Sequence, residues 1–233
     1  MALAQRHRRY GYRRLTALLR RRGARVNHKR VWAIWREERL SLPRRRPRKR
    51  RGRTRTSQPT TALHRNHVWP YDFLCARTAR GQTLTILTVL DEYTRECHAL
   101  RVGCRLDSSA VMDTLDTLCG GHGAPAYVRS ANGGEFSAAR RQRWLARQST
   151  ATRHSAPGQP WENGYAESCN GKLRDECLNA EVFWHQAHAP VIVERWRRRY
   201  NEERPHSALG YRTPAEVAAT APAGAVAVAV ALA

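Results

Sequence analysis

The chain has 233 residues, of which 41% are hydrophobic, and it carries a formal net charge of +23. This length accommodates one sizeable domain and one small one, and the charge predicts a polyanionic partner. Residues 1–62 contain 22 Lys and Arg and two acids, net +20, whereas residues 63–233 contain 20 Lys and Arg and 17 acids, net +3. The basic segment has no long apolar face, so membrane binding is the weaker interpretation.

Other patterns argue against secreted, zinc-finger and membrane proteins. The six cysteines form no CxxC pair, which is typical of reduced thiols in a cytosolic protein. The pairs His64/His67 and His185/His188 have no matching cysteine pair, so we interpret them as ordinary histidines. The start of the chain does not resemble a signal peptide, and the Ala/Val-rich end is short for a membrane span. We expect a cytoplasmic, nucleoid-associated protein.

The first predicted element is a helix over residues 10–22. Leu15, Leu18 and Leu19 have the i, i+3, i+4 spacing of an apolar helix face, and Gly23 suits the helix end.

A second helix is predicted over residues 28–39, with Asn27 as its N-cap. Its apolar stripe would consist of Val31, Ile34 and Trp35. The pattern alone fits a helix-turn-helix and a plain helical hairpin equally well, and the surrounding charge favours DNA binding. The side chains predicted to contact DNA are His28, Lys29 and Arg30.

A basic linker is predicted over residues 41–62. Nine cations among residues 41–56 repel one another and cannot build a core, so this segment should be disordered when free. Its functional interpretation is a sequence-independent phosphate clamp. The predicted DNA contacts in the linker are Arg44, Arg45, Arg46, Arg48, Lys49, Arg50 and Arg51.

The apolar pattern downstream predicts a mixed α/β sheet. The predicted strands cover residues 68–75, 82–90, 95–102, 126–130 and 150–154. The predicted helices run from Asp107 or Ser108 to Cys119, over 136–148, over 161–177 and over 191–202. Three meandering strands followed by alternating helices and strands favour a mixed five-stranded sheet flanked by helices. The predicted domains are 1–40 (helix-turn-helix), 41–62 (linker), 63–217 (core) and 218–233 (tail).

The helix predicted over 161–177 has an unusual polar face. Asn163, Glu167, Asn170 and Arg174 fall at i, i+4, i+7 and i+11 and therefore share one side. A carboxylate there could bind Mg²⁺ together with Asp72 of the first strand. Spacing alone leaves equally open that both are ordinary surface acids. Asn163, Asn170, Lys172 and Arg174 are further predicted DNA contacts.

Eight short motifs together resemble a known family. They are YGYRRL at 10–15, VNHKRV at 26–31, WxxDF at 69–73, LTVLD at 87–91, RSxNGxEF at 129–136, PWENGYxES at 160–168, YNxERPH at 200–206 and LGYxTP at 209–214, where x is a position that does not carry the resemblance. In this order the chain resembles transposases of bacterial insertion sequences with a retroviral-integrase-type core (the insertion-sequence-three family, second reading frame).

The resemblance implies an RNase H-like core with a triad of two aspartates and one glutamate that holds two Mg²⁺ or Mn²⁺ ions. It implies cleavage at element ends and attack of a DNA 3′-hydroxyl on another phosphodiester. Asp72 matches the first aspartate and Glu167 the glutamate. The family has 35 residues between the second aspartate and the glutamate, which puts that aspartate at position 131, where this chain has Ala131.

Alanine offers no oxygen to a metal, so we expect an impaired enzyme. Loss of one ligand from a two-metal site removes charge neutralisation and positioning together, which raises the barrier by several kcal/mol. Rescue by the nearby Asp91 or Glu135 is not expected. Natural decay and deliberate substitution both remain open as the origin of Ala131. Members of the family usually have more sequence before the first helix, so we expect an N-terminally truncated copy.

Three function classes follow. The first is a transposase that acts on double-stranded DNA, both at the element ends and at the target. It would work as a homo-oligomer, with the product of an upstream reading frame as a possible partner. The second is a binding-only protein that represses or titrates an active transposase. The third is an RNase H-type nuclease, which the N-terminal helix pair disfavours.

Overall fold

The computed structural model describes residues 1–41, 62–130, 151–154 and 164–222. The chain divides into two compact units, one of Met1–Thr60 with Arg204–Thr213 and one of Thr61–Glu203 with Pro214–Ala233. Residues 204–213 therefore group with the N-terminal unit, whereas the sequence assigned them to the core. None of the described helices is long and apolar enough to cross a membrane.

The smaller unit contains three α-helices among its described residues, and two of them form the predicted pair. Its helices are α1 (Ala2–Arg6), α2 (Tyr12–Arg21) and α3 (His28–Glu37). As predicted, Asn27 caps α3, and its side-chain oxygen accepts a 2.9 Å hydrogen bond from the backbone N–H of Lys29. The sequence did not predict α1, whose five residues are all at least partly exposed.

A small apolar core holds α2 against α3. It is built from Tyr10, Leu15, Leu18 and Val31, with Leu19 and Trp35 packed against it. The prediction that Ile34 belongs to this stripe is wrong, because the side chain is 46% exposed. A helix that packs on a single neighbour buries only a narrow face, and Ile34 lies outside it.

The larger unit is built on a mixed sheet, as predicted. Its five strands have the order β3-β2-β1-β4-β5, with antiparallel pairing among the first three and parallel pairing of β1 with β4 and of β4 with β5. Strand β1 therefore has a partner on both sides. The strands are β1 (Val68–Arg77), β2 (Thr83–Leu90), β3 (Cys97–Gly103), β4 (Tyr127–Ser130) and β5 (Ala151–His154).

The helices of the larger unit are α4 (Ser108–His122), α5 (Gly164–Leu173), α6 (His188–Glu202) and α7 (Pro214–Thr220). A π-helical segment, Arg174–Leu178, continues α5. The predicted tail boundary between residues 217 and 218 falls inside α7. The helix predicted over 136–148 lies outside the described residues.

Helix α4 is longer than predicted. Asp107 caps it by accepting a hydrogen bond from the N–H of Ala110, and the helix then continues through Gly120 and Gly121. It ends where Gly123 adopts φ 81°, a conformation that glycine reaches without strain.

The sheet separates two apolar layers. Trp69 and Tyr71 of β1 pack on the side of α4, whereas Leu74 packs on the side of α5 and α6. Because side chains alternate along a strand, Asp72 shares the face of Leu74. The first predicted carboxylate therefore points toward the helix that carries the second.

Candidate active site

Asp72 lies on β1, the central strand of the sheet. It pairs in register with Thr88 of β2, and its neighbour Tyr71 pairs with Ser130 of β4. Its side chain is half-buried. Pairing on both sides fixes the backbone, so the position of this carboxylate is set by the sheet.

Asn170 of α5 connects the helix to this strand pair. Its Nδ2 donates a 2.9 Å hydrogen bond to Oδ2 of Asp72, and its Oδ1 accepts a 2.6 Å hydrogen bond from the hydroxyl of Thr88. Both Asn170 and Thr88 are buried. Asn170 was predicted to contact DNA, and the structure instead shows its amide enclosed and hydrogen-bonded to Asp72.

Glu167 precedes Asn170 by three residues on α5 and so lies on the same side of the helix. The pKa of Glu167 is raised, first by partial burial and then by the negative charge of Asp72. The two carboxylates are thus close enough to repel each other. Hard oxygen donors under mutual repulsion fit a divalent cation such as Mg²⁺, which would relieve that repulsion.

Two neighbouring acids face other partners. Asp91 is fully buried, and it accepts hydrogen bonds of 2.7 Å from the N–H of Thr94 and 2.6 Å from the N–H of Asn66. Glu92 is buried in an ion pair with Arg129, at 2.9 Å. The described contacts thus engage Asp91 with backbone N–H groups and Glu92 with Arg129.

The remaining predicted site residues are either exposed, hydrogen-bonded within α5, or outside the described part of the chain. His28, Lys29 and Arg30 are exposed on α3, and Arg174 is exposed beside β1, where it donates a 3.3 Å hydrogen bond to the carbonyl of Cys75. Lys172 donates to the hydroxyl and carbonyl of Ser168. The predicted site residues outside the described part are Ala131, Asn163, Arg44, Arg45, Arg46, Arg48, Lys49, Arg50 and Arg51.

Sequence reasoning missed two positioning contacts. Thr88 is a polar residue within an apolar strand, and that anomaly was the available signal for its bond to Asn170. The guanidinium of Arg95 lies 3.4 Å from the ring centroid of Tyr165, two residues before Glu167. No pattern in the sequence indicates this pairing, because it depends on the turn between β2 and β3.

Comparison with protein families gives three matches. A family model described as an integrase core domain matches residues 62–160, and a second one of the same description matches residues 148–214. A model described as an HTH-like domain matches residues 1–48.

Two curated proteins are similar along most of the chain. The Insertion element IS407 uncharacterized 31.7 kDa protein of Burkholderia multivorans is 39% identical, over 93% of this chain and 78% of that protein. The Transposase InsD for insertion element IS2D of Escherichia coli is 28% identical, over 89% of this chain and 72% of that protein.

Among solved structures, the HTLV-2 integrase catalytic core domain in complex with magnesium has a similar fold. The TM-score is 0.51 at 14% identity, over 67% of this chain and 99% of that one. This similarity confirms the predicted RNase H-like architecture of the larger unit.

Proposed function

The chain belongs to the integrase-core transposases of bacterial insertion elements, and on that premise we propose how its own residues act on DNA. Asp72 and Glu167 are two carboxylates of a polynucleotidyl transferase site, which cleaves element ends and joins them to a target. The N-terminal unit binds double-stranded DNA. Ala131 impairs turnover.

One observation carries the catalytic part of the proposal. Asp72 on the central strand is hydrogen-bonded to α5 three residues from Glu167, and the pKa of Glu167 is raised by partial burial and by the charge of Asp72. Asn170 holds the first carboxylate through a 2.9 Å hydrogen bond. An arrangement that concentrates negative charge in this way is suited to binding a cation.

Each residue has a distinct task in this proposal. Asp72 and Glu167 supply oxygen ligands, and Asn170 keeps Asp72 oriented toward the helix. When bound, divalent metal ions activate the attacking hydroxyl and neutralise charge on the leaving oxygen. The similar HTLV-2 integrase core is a complex with magnesium, which supports Mg²⁺ as the ion to test.

Ala131 follows the last residue of β4 in the sequence, at the position that the family resemblance assigns to the second aspartate. Without a third carboxylate the site loses one ligand and one negative charge. We therefore propose that the chain binds DNA ends and joins them slowly or not at all.

The DNA-binding part rests on charge and exposure. Residues 1–62 carry a net charge of +20, and α3 presents His28, Lys29 and Arg30 to solvent. Arg36 lies over the ring of Trp32 at 5.6 Å, and Trp32 is 43% exposed. A helix with exposed cations and an exposed aromatic ring is suited to contact phosphates and bases.

A strand-transfer assay with matched element ends and Mg²⁺ tests the proposal. We expect Ala131→Asp to restore end joining by a factor on the order of a hundred or more over the unmodified chain, corresponding to several kcal/mol of barrier. The double variant Ala131→Asp/Asp72→Asn is the control and should lose that gain. Full activity of the unmodified chain would contradict the assigned role of Ala131.

A second candidate is a binding-only protein that occupies element ends and competes with an active transposase. The net charge of +20 in the first 62 residues favours it, because DNA binding does not require an intact catalytic site. End-specific gel shifts without cleavage in any metal, combined with inhibition of an active relative, would support this function.

A further inference from the structure

Three potential metal ligands meet at the edge of the sheet. Ligand atoms of Glu96, His98 and His122 all lie within 4.8 Å of one another. Glu96 immediately precedes β3, His98 is the second residue of that strand, and His122 is the last residue of α4. The family resemblance and the catalytic proposal assign no role to any of them.

A β-bulge brings His98 into this group. Leu90 pairs with Cys97, whereas the adjacent Val89 pairs with Ala99, so His98 is the extra residue of β3. Its ring lies 4.8 Å from the ring of Trp69 and 4.2 Å from the ring of His122, between centroids. Bulges commonly redirect a side chain, and this one directs His98 to the face of the sheet that packs on α4.

His98 is 5% exposed, and neither of its ring nitrogens has a hydrogen-bond partner among the described residues. Oε2 of Glu96 is likewise buried and has no hydrogen-bond partner among the residues that the structure describes. It lies 4.0 Å from Nδ1 of His98. Buried polar atoms are nearly always paired because leaving them unpaired is costly. Two unpaired ligand atoms that face each other indicate a missing third partner.

Negative charge near the three candidate ligands favours the binding of a cation. The C-terminal end of α4 carries partial negative charge, and His122 is its final residue. Asn66 donates a 2.6 Å hydrogen bond from Nδ2 to the carbonyl of His122, which fixes that end of the helix. Asp91 adds a negative charge that acts on both Glu96 and His122.

Two arginines oppose a cation. Arg197 is committed elsewhere, because its guanidinium binds Glu194 and the carbonyl of Cys97. Arg65 interacts electrostatically with all three candidate ligands, and its Nε is buried with no hydrogen-bond partner in the described ranges. Arg65 is therefore the group that should limit affinity.

We propose that Glu96, His98 and His122 bind a divalent ion of the zinc class. Two imidazoles and one carboxylate are ligands that suit Zn²⁺ and neighbouring late transition metals, whereas the carboxylate pair at Asp72 suits Mg²⁺. A tetrahedral zinc site, with bonds of about 2.0–2.1 Å, places its ligand atoms about 3.4 Å apart. Contraction from 4.0 Å between Glu96 and His98 is within the reach of side-chain rotation.

The two metal sites lie on opposite faces of the sheet, since Asp72 faces α5 and the ring of His98 packs on the α4 side. The proposed ion would tie the end of α4 to the edge strand β3. Because the two sites share no residue, binding of this ion does not depend on the catalytic proposal, and it can be measured without DNA.

The test uses the full chain, with zinc as the only transition metal and with excess Mg²⁺ to occupy the carboxylate pair. Bound zinc is counted by mass spectrometry of dialysed protein, and affinity is measured by competition with a chromophoric chelator. The ligand variants are Glu96→Gln, His98→Leu and His122→Gln. The matched control is His185→Gln/His188→Gln, an exposed histidine pair with ring centroids 5.5 Å apart.

We expect about one zinc per chain in the parent and the control, and at least about a tenfold loss of zinc affinity in each ligand variant. Arg65→Gln should bind zinc more tightly than the parent. Circular dichroism in the presence of a chelator checks that each variant folds. If His98→Leu does not fold, the zinc affinities of Glu96→Gln and His122→Gln test the proposal. Unchanged zinc in these two variants, or loss of zinc in the control alone, would overturn the proposal.

Discussion

Asn170 donates a 2.9 Å hydrogen bond from its side-chain amide to the carboxylate of Asp72. The same side chain accepts a 2.6 Å hydrogen bond from Thr88, the residue that pairs with Asp72 across the sheet. One buried asparagine thus joins α5 to both strands. Asn170 therefore helps to hold the helix bearing Glu167 against the strand that carries the first carboxylate.

Asn170→Ala should lower the free energy of unfolding by about 1–3 kcal/mol, because it removes the buried amide that bonds both Thr88 and Asp72. Urea denaturation measures this change. Thr88→Val removes only one of the two hydrogen bonds and should cost less. Asn179→Ala, at an exposed asparagine, is the matched control, and an equal loss there would refute the bridging role.

Glu167→Gln should raise the thermal midpoint slightly in chelator near neutral pH, since it removes repulsion with Asp72. The folded pKa of Glu167 is raised, so its protonated form contributes stability that is present below the unfolded pKa and is lost as pH rises through the folded pKa. The advantage of the variant should therefore vanish as the pH falls through that range.

Addition of Mg²⁺ provides the complementary measurement. It should raise the midpoint of the parent more than that of Glu167→Gln, because the variant has lost an oxygen ligand. Calorimetry with and without Mg²⁺ decides this point. Identical Mg²⁺ responses would show that Glu167 does not bind the ion.

The buried pair of Arg129 and Glu92 offers a stability prediction beside β4. Arg129→Met should cost about 3–5 kcal/mol of unfolding free energy, because it leaves a buried carboxylate unpaired. Burial raises the pKa of Glu92 even though Arg129 opposes the shift. The variant should consequently recover stability as the pH falls and Glu92 becomes protonated.

The double variant Arg129→Met/Glu92→Leu is the control for this pair, since it removes both charges. It should be considerably more stable than Arg129→Met alone in guanidinium denaturation. If the single and double variants unfold at the same denaturant concentration, the pair does not behave as a coupled unit.

Lys29→Ala/Arg30→Ala should weaken binding to element-end DNA and flatten its salt dependence. The slope of log affinity against log salt should fall by about 0.9 for each phosphate that the variant no longer neutralises. Fluorescence anisotropy at several salt concentrations measures this slope. Arg77→Ala/Arg80→Ala removes the same charge from exposed positions of the larger unit and should change the slope less.

Local chemistry made several elements predictable. Asn27 and Asp107 cap α3 and α4 as expected, because a cap requires only a side-chain oxygen next to the first free N–H groups. Runs of β-favouring residues bounded by turns likewise predicted the five-stranded sheet. The start of β3 was placed too early, since Arg95 has φ 64° and still belongs to the turn.

Tertiary contacts account for what the sequence did not reveal. Helical periodicity placed Asn170 on the face of Glu167, but only the packing of α5 on β1 shows that its amide is enclosed rather than free for DNA. The π-helical segment after Leu173 changes the helical period and is not encoded in any local motif. The bulge at His98 depends on cross-strand pairing and is equally hidden in the sequence.

The order of pairing in the sheet also bears on how the chain acquires its site. Strands β1, β2 and β3 are contiguous in the sequence and form a meander, whereas the pairing of β1 with β4 and the docking of α5 join distant segments. During synthesis Asp72 can reach its final strand before Glu167 has left the ribosome. Completion of the carboxylate pair is then a late, long-range event, because it requires α5 to have folded onto the sheet.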